Sequence, residues 1–234
     1  MLHAPCSLRS LSLMRPAPET LPARKVMVQS QLAHRGMRDR RVLAAMTRIP
    51  REWFLAPDLR DEAYADAPLP IGNGQTISQP YIVALMTACL APRRGDRVLE
   101  VGTGSGYQTA VLAHLGAQVF TIERLPDLLV EAEARLQRLG LREVETRLGD
   151  GAGGWPEAAP FQGILVTAAA PHIPGPMLAQ LAPGGRLVVP VGDLMEQELV
   201  IVRRTSSGFE ERSAGGVRFV PLVSRLAFPD PASR

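Results

Sequence analysis

Cysteine is almost missing: Cys6 and Cys89 are the only two in 234 residues. Two thiols so far apart exclude a disulfide scaffold and a cysteine-based zinc site. Histidine is scarce as well. His3, His34, His114 and His172 show no ligand-pair spacing, so no metal is expected. Lysine is reduced to Lys25; every other basic residue is arginine. Excess charge is also lacking. The 26 basic and 23 acidic residues leave +3, too little to mark a nucleic-acid surface. Aromatics make up 5%, and Trp53, Phe54 and Trp155 are read as packing residues rather than base-stacking platforms. No apolar run approaches the roughly 20 residues that span a bilayer. Neither nucleic acid nor membrane is expected as a partner, and the expectation is a cytoplasmic monomer.

What is present is a globular pattern. A chain of this length can bury roughly 70–75% of its unfolded surface without a covalent staple. Residues 1–24 carry Pro5, Pro16, Pro18 and Pro22 and no acid before Glu19, so they are read as a disordered extension. Residues 25–229 are read as one domain, and 230–234 as a frayed tail. Within the domain, 25–80 hold N-terminal helices and a loop. Residues 81–192 form a core, and 193–229 add the last strands. The core alternates in character. Arg97–Val101, Gln118–Ile122, Val144–Leu148, Gly163–Thr167 and Arg186–Val189 are short apolar runs that read as strands. Ser105–Leu115, Pro126–Leu139 and Pro176–Leu181 read as helices, and Pro183-Gly184-Gly185 as a breaker. Glu198–Val202 and Val217–Val220 complete the strands. This order predicts an α/β fold: a doubly wound, mostly parallel, Rossmann-like sheet with extra N-terminal helices.

Three glycines follow the first strand of that core, in Val98-Leu-Glu-Val-Gly102-Thr103-Gly104-Ser105-Gly106. Glycine lets backbone approach a ligand, and the helix N-terminus beyond attracts an anion. The dinucleotide fingerprint needs its third glycine where Tyr107 stands, and a Gly-Lys-Ser/Thr phosphate loop is lacking. Glu123, ending the next strand, can accept both ribose hydroxyls. Asp150, in Gly149-Asp150-Gly151, can accept from an adenine amino group. Each alone has a plain alternative, a solvated strand end or a turn former. In this order they fit S-adenosyl-L-methionine, with its carboxylate facing the helix after Gly106.

The segment Ile71-Gly-Asn-Gly-Gln-Thr-Ile-Ser-Gln-Pro80 resembles a signature of the protein-L-isoaspartate O-methyltransferases. So do the glycine turn, Gly149–Gly151, Thr167-Ala-Ala-Ala-Pro171, Gln180–Arg186, Val189–Gly192 and Val217–Leu222, in the family's order. The resemblance implies methyl transfer from S-adenosyl-L-methionine to the free α-carboxylate of L-isoaspartyl residues in damaged proteins. It implies Ser78 in the active site, Thr76, Ile77 and Gln79 shaping the peptide cleft, and Gln197 beside it. Gly102, Thr103, Gly104, Ser105, Gly106, Glu123, Asp150 and Gly151 would hold the cofactor.

The residue chemistry is compatible. A carboxylate with a pKa of about 4 is already a nucleophile at neutral pH, so no general base is required. Ser78 also stands where a helix cap would, before Gln79-Pro80 and an apolar run. Gln162 occupies a position where the family usually has Asp. Gln197 has a plain reading as a solvated strand edge, and His172 as a loop residue near the cleft mouth. Two other functions fit the same residues: a carboxyl methyltransferase for a different peptide or small acceptor, and a noncatalytic module that binds the cofactor or peptides.

Overall fold

The strand-like runs lie side by side in the computed structural model, which describes residues 20–230. They are β3 (Arg97–Val101), β4 (Gln118–Glu123), β5 (Glu145–Leu148), β6 (Phe161–Val166), β7 (Leu181–Gly192), β8 (Gln197–Thr205) and β9 (Gly208–Val217). Their spatial order is β5-β4-β3-β6-β7-β8-β9. The first five are parallel, and β8 and β9 return antiparallel. Strands covered on both faces need continuous apolar side chains, and Val98, Leu99, Ile164 and Leu165 are fully buried.

Helices make the crossovers. They are α4 (Tyr107–His114) after β3, α5 (Pro126–Arg138) after β4 and α6 (Gly175–Ala179) after β6. The chain winds outward from β3 to β5, then returns to β6 on the other side of β3. That reversal opens a crevice at the carboxyl ends of β3 and β6, where such sheets bind ligands.

The N-terminal region packs against α4 and, through its last helix, against β6 and β7. Helix α1 (Leu21–Met27) runs into a π-helical turn over Val28–Ala33. Helix α2 (Arg40–Arg48) starts at Asp39, whose carboxylate accepts from the Arg41 and Val42 amides at 2.9 and 3.3 Å. Helix α3 (Pro80–Leu90) follows a small hairpin of β1 (Leu69–Gly72) and β2 (Gln75–Ile77). Asn73 and Gly74 turn that hairpin, both with positive φ (51° and 69°). Met27, Val42, Met46, Phe54, Tyr107 and Val111 share one core between these helices and α4.

Several expected boundaries move. Of residues 1–24, positions 1–19 lie outside the described residues, but Leu21–Arg24 are helical and the Arg24 side chain is fully buried. Its guanidinium pairs with Glu52 at 3.3 Å and donates to the Tyr64 hydroxyl at 3.0 Å, so the fold begins before Lys25. Pro183-Gly184-Gly185 does not break the chain between helix and strand, because β7 already begins at Leu181. It forms a bulge inside β7, where the pairing jumps from Phe161↔Leu181 to Gly163↔Arg186. Val217–Val220 is not a strand either, since only Val217 belongs to β9. Residues 218–223 instead cross the carboxyl ends of the sheet, bonded by Ala169 N–H to Val220 O (2.8 Å) and Leu222 N–H to Ala169 O (2.7 Å). Asp230 of the expected tail pairs with Arg124 at 2.7 Å; residues 231–234 lie outside the described residues.

Candidate active site

The glycine turn after β3 needs backbone that other residues adopt at a cost. Gly102, Gly104 and Gly106 have φ of 96°, 53° and 86°. A Cβ on Gly102 would stand 2.3 Å from the Thr167 hydroxyl oxygen. The Gly102 amide donates to Ile122 O at 2.8 Å, tying the turn to β4. From the end of β4, Glu123 reaches back. Its carboxylate accepts from the Gly104 amide (2.9 Å) and from the Arg124 and Leu125 amides (2.8 and 3.0 Å). Glu123 thus stands at the strand end beside the turn, its carboxylate held by three main-chain amides. Gly151 is set by packing, because a Cβ there would come within 2.5 Å of Val101 Cγ1.

Gly102, Gly104, Glu123 and Gly151 line a narrow crevice together with Thr103, Ser105, Tyr107, Gly149 and residues 220–223, whereas Gly106 is buried against Ala132 and Leu136 of α5 and does not line it. The crevice is a cradle of bare backbone, closed by one acid, beside the start of α4. This donor set fits a nucleoside whose amino-acid end is an anion. Asp150 behaves differently from the expectation. It is exposed, and its carboxylate accepts from the Ala152 amide at 2.9 Å and from the Ser224 hydroxyl at 2.6 Å. It caps the turn that carries Gly151 and anchors the crossing segment. Its neighbours Gly149 and Gly151, not Asp150 itself, face the crevice.

A larger groove, about 1230 Å³ against about 190 Å³, adjoins the crevice. Thr76, Ser78, Thr167 and Val220 line both, and so mark the junction. Ser78 does not cap α3. The cap position is Gln79, with no side-chain cap bond, and among the described residues nothing hydrogen-bonds to the Ser78 hydroxyl. Ile77 is buried in the core below, whereas Thr76 is exposed. Gln79 lines the groove, with its amide held by Asp66 Oδ1 (2.8 Å) and O (3.1 Å). Gln197 also lines it and is no solvated edge, being buried. Its amide is consumed by main chain: it accepts from Phe219 N–H at 2.7 Å and donates to Asp193 O at 2.9 Å. Gln197 therefore shapes the groove wall by holding the crossing segment.

Three residues had no assigned part in the sequence reading. Thr167 donates to Val101 O and Gly102 O (3.0 and 2.7 Å), pinning the turn to β6. Ser224 ties the crossing segment to Asp150. Glu100, one residue before Val101, is fully buried. The Thr109 and Thr121 hydroxyls donate to its Oε2 at 2.5 and 2.8 Å, and its Oε1 has no partner among the described residues. Burial, the dominant cause, pushes its pKa up to about 8, and nearby Glu123 adds to the rise. At neutral pH this carboxyl is mostly uncharged, so it sets little negative charge beneath the turn. The family's usual Asp is replaced far from this chemistry. Gln162 Oε1 accepts the Arg97 amide at 2.8 Å, at the end of the sheet opposite the crevice. His172 is an exposed loop residue and lines neither cavity.

Comparison with known proteins agrees with this geometry. The profile of the protein-L-isoaspartate(D-aspartate) O-methyltransferases matches residues 23–227. A protein-L-isoaspartate O-methyltransferase of Syntrophobacter fumaroxidans is 55% identical over 203 residues, covering 87% of this chain and 95% of its own length. One from Methanoregula boonei is 56% identical over 205 residues, covering 88% and 94%. Among solved structures, a protein-L-isoaspartate O-methyltransferase superposes with a TM-score of 0.77 at 28% identity, covering 87% of this chain and 67% of that one. A Plasmodium falciparum structure assigned to the same family and holding S-adenosyl-L-homocysteine gives 0.74 at 25% identity, covering 86% and 98%. Matched along nearly all of its folded length, the chain belongs to the protein-L-isoaspartate O-methyltransferase family.

Proposed function

We propose that this chain methylates the free α-carboxylate of L-isoaspartyl residues in damaged proteins and peptides, using S-adenosyl-L-methionine. The observation that carries the reading is the junction itself: the Ser78 hydroxyl, without a hydrogen-bond partner among the described residues, stands where the crevice opens into the larger groove. Bound S-adenosyl-L-methionine supplies a methyl group on a sulfonium cation. The glycine turn and Glu123 would hold its nucleoside. A substrate segment would lie in the groove between Gln79 and the wall that Gln197 supports.

Ser78 donates its proton in a hydrogen bond to one oxygen of the incoming carboxylate and turns the other toward the crevice. None of Thr76, Ser78, Thr167 and Val220 is ionisable at neutral pH. That suits a substrate already in its nucleophilic form, for which orientation is the main task. The resulting methyl ester is set to close to a succinimide, whose hydrolysis returns part of the chain to ordinary aspartate.

The test is methyl transfer from labelled S-adenosyl-L-methionine to matched peptides carrying Asp, D-Asp or L-isoAsp. Base-labile label is expected on the L-isoAsp peptide and not on the Asp peptide. A protein that binds the cofactor yet labels none of the three would overturn the substrate assignment.

A further inference from the structure

Arg51 is fully buried in the turn of 3₁₀ helix that follows Pro50. Its Nε donates to Ala63 O at 2.8 Å, but Nη1 and Nη2 have no partner among the described residues. The adjacent Glu52 does not neutralise it. That carboxylate is taken by Arg24 at 3.3 Å, by the Thr20 hydroxyl at 2.8 Å and by the Tyr64 hydroxyl. A buried cation without an anion is costly, and nothing in the core pairing explains why it is kept. Burial lowers its pKa to about 10, so it still carries its charge at neutral pH.

The guanidinium carbon lies 5.2 Å from the centre of the Tyr107 ring. Tyr107 is the first residue of α4 and lines the crevice. The unpaired charge therefore sits behind the side chain at the crevice end where the α4 amides begin. Both the helix start and the cation favour an anion there, and the low dielectric between them preserves the effect.

We propose that Arg51 is a positioning residue for the cofactor, supplying through the Tyr107 ring the positive field that holds the carboxylate of its amino-acid end. The proposal rests on the crevice being the S-adenosyl-L-methionine site. The experiment is calorimetric binding of two ligands, S-adenosyl-L-homocysteine and S-(5′-adenosyl)-3-thiopropylamine, which differ by the carboxylate alone. Wild type, R51K and R51Q are compared. In R51Q the affinity for S-adenosyl-L-homocysteine is expected to fall about tenfold while that for the amine changes less than threefold. R51K, which keeps the charge, recovers most of the loss. Equal weakening of both ligands in R51Q would make Arg51 merely structural and overturn the proposal. Should R51Q not fold, the wild type and R51K decide. A carboxylate worth less than threefold in wild type overturns it; one worth tenfold or more and kept in R51K supports it. A wild type that binds neither ligand removes the crevice assignment together with this proposal.

Discussion

Replacing Ser78 by alanine removes a hydroxyl that nothing among the described residues holds, so the fold should hardly notice. Stability should change by less than about 0.5 kcal/mol, the usual range for a partly exposed site. Turnover of an L-isoAsp peptide should fall by about 10²-fold, the scale for losing one aimed donor. A melting curve and a steady-state assay on the same preparation check both halves. Much of the residue-level chemistry could be read in advance. Gly102 and Gly106 have backbone angles that favour glycine, and Glu123 stands where a strand after a glycine turn must end. Asp150 misled because an acid after a strand serves equally as a turn cap, and here Ser224, distant in sequence, decides between the uses. Glu100 was hidden for a different reason: one polar letter in an apolar strand carries no sign of the threonines that surround it in space.

At the scale of elements, the groove wall depends on one amide. Gln197, at the start of β8, satisfies the main-chain N–H of Phe219. Gln197→Leu leaves that group unpaired and should cost about 1–3 kcal/mol of stability. It should also raise KM for the peptide several-fold while kcat stays within about twofold, because the wall loosens while Ser78 is untouched. Kinetics at several peptide concentrations, beside a denaturant titration, separate the two effects. The strands buried on both faces were legible because apolar runs of that length have few other homes. Strand β9 was not. Gly208–Ala214 is polar and mostly exposed, held by pairing with β8 rather than by an apolar face. The β1–β2 hairpin did carry a signal, Asn73-Gly74, whose paired positive φ angles make a tight turn. The flanking prolines and glycines of residues 66–74 obscured it.

For the molecule as a whole, the buried Glu100 couples stability to pH. Its pKa is raised from 4.5 to about 8 on folding, so the folded state holds a proton that the unfolded state releases. Its stabilising effect is complete below about 4.5, shrinks as pH rises, and is lost above about 8. The slope cannot exceed about 1.4 kcal/mol per pH unit, the limit for one proton. Glu100→Gln keeps the shape without the titration, so its melting temperature should vary less than that of wild type between pH 6 and 8. Parallel slopes for the two proteins in that interval would show that Glu100 is not the group responsible. The doubly wound arrangement followed from alternation of strand and helix, but the path of residues 218–230 did not. Its composition is strand-like, and contacts with Gln197, Ala169, Asp150 and Arg124 lay it across the sheet.

That path carries a consequence for synthesis. Residues 220–223 form part of the crevice wall, although the glycine turn they face precedes them by more than a hundred positions. During translation the ribosome has to release this stretch before a finished pocket exists. Up to that moment the nascent chain lacks one wall of the compartment in which its chemistry takes place.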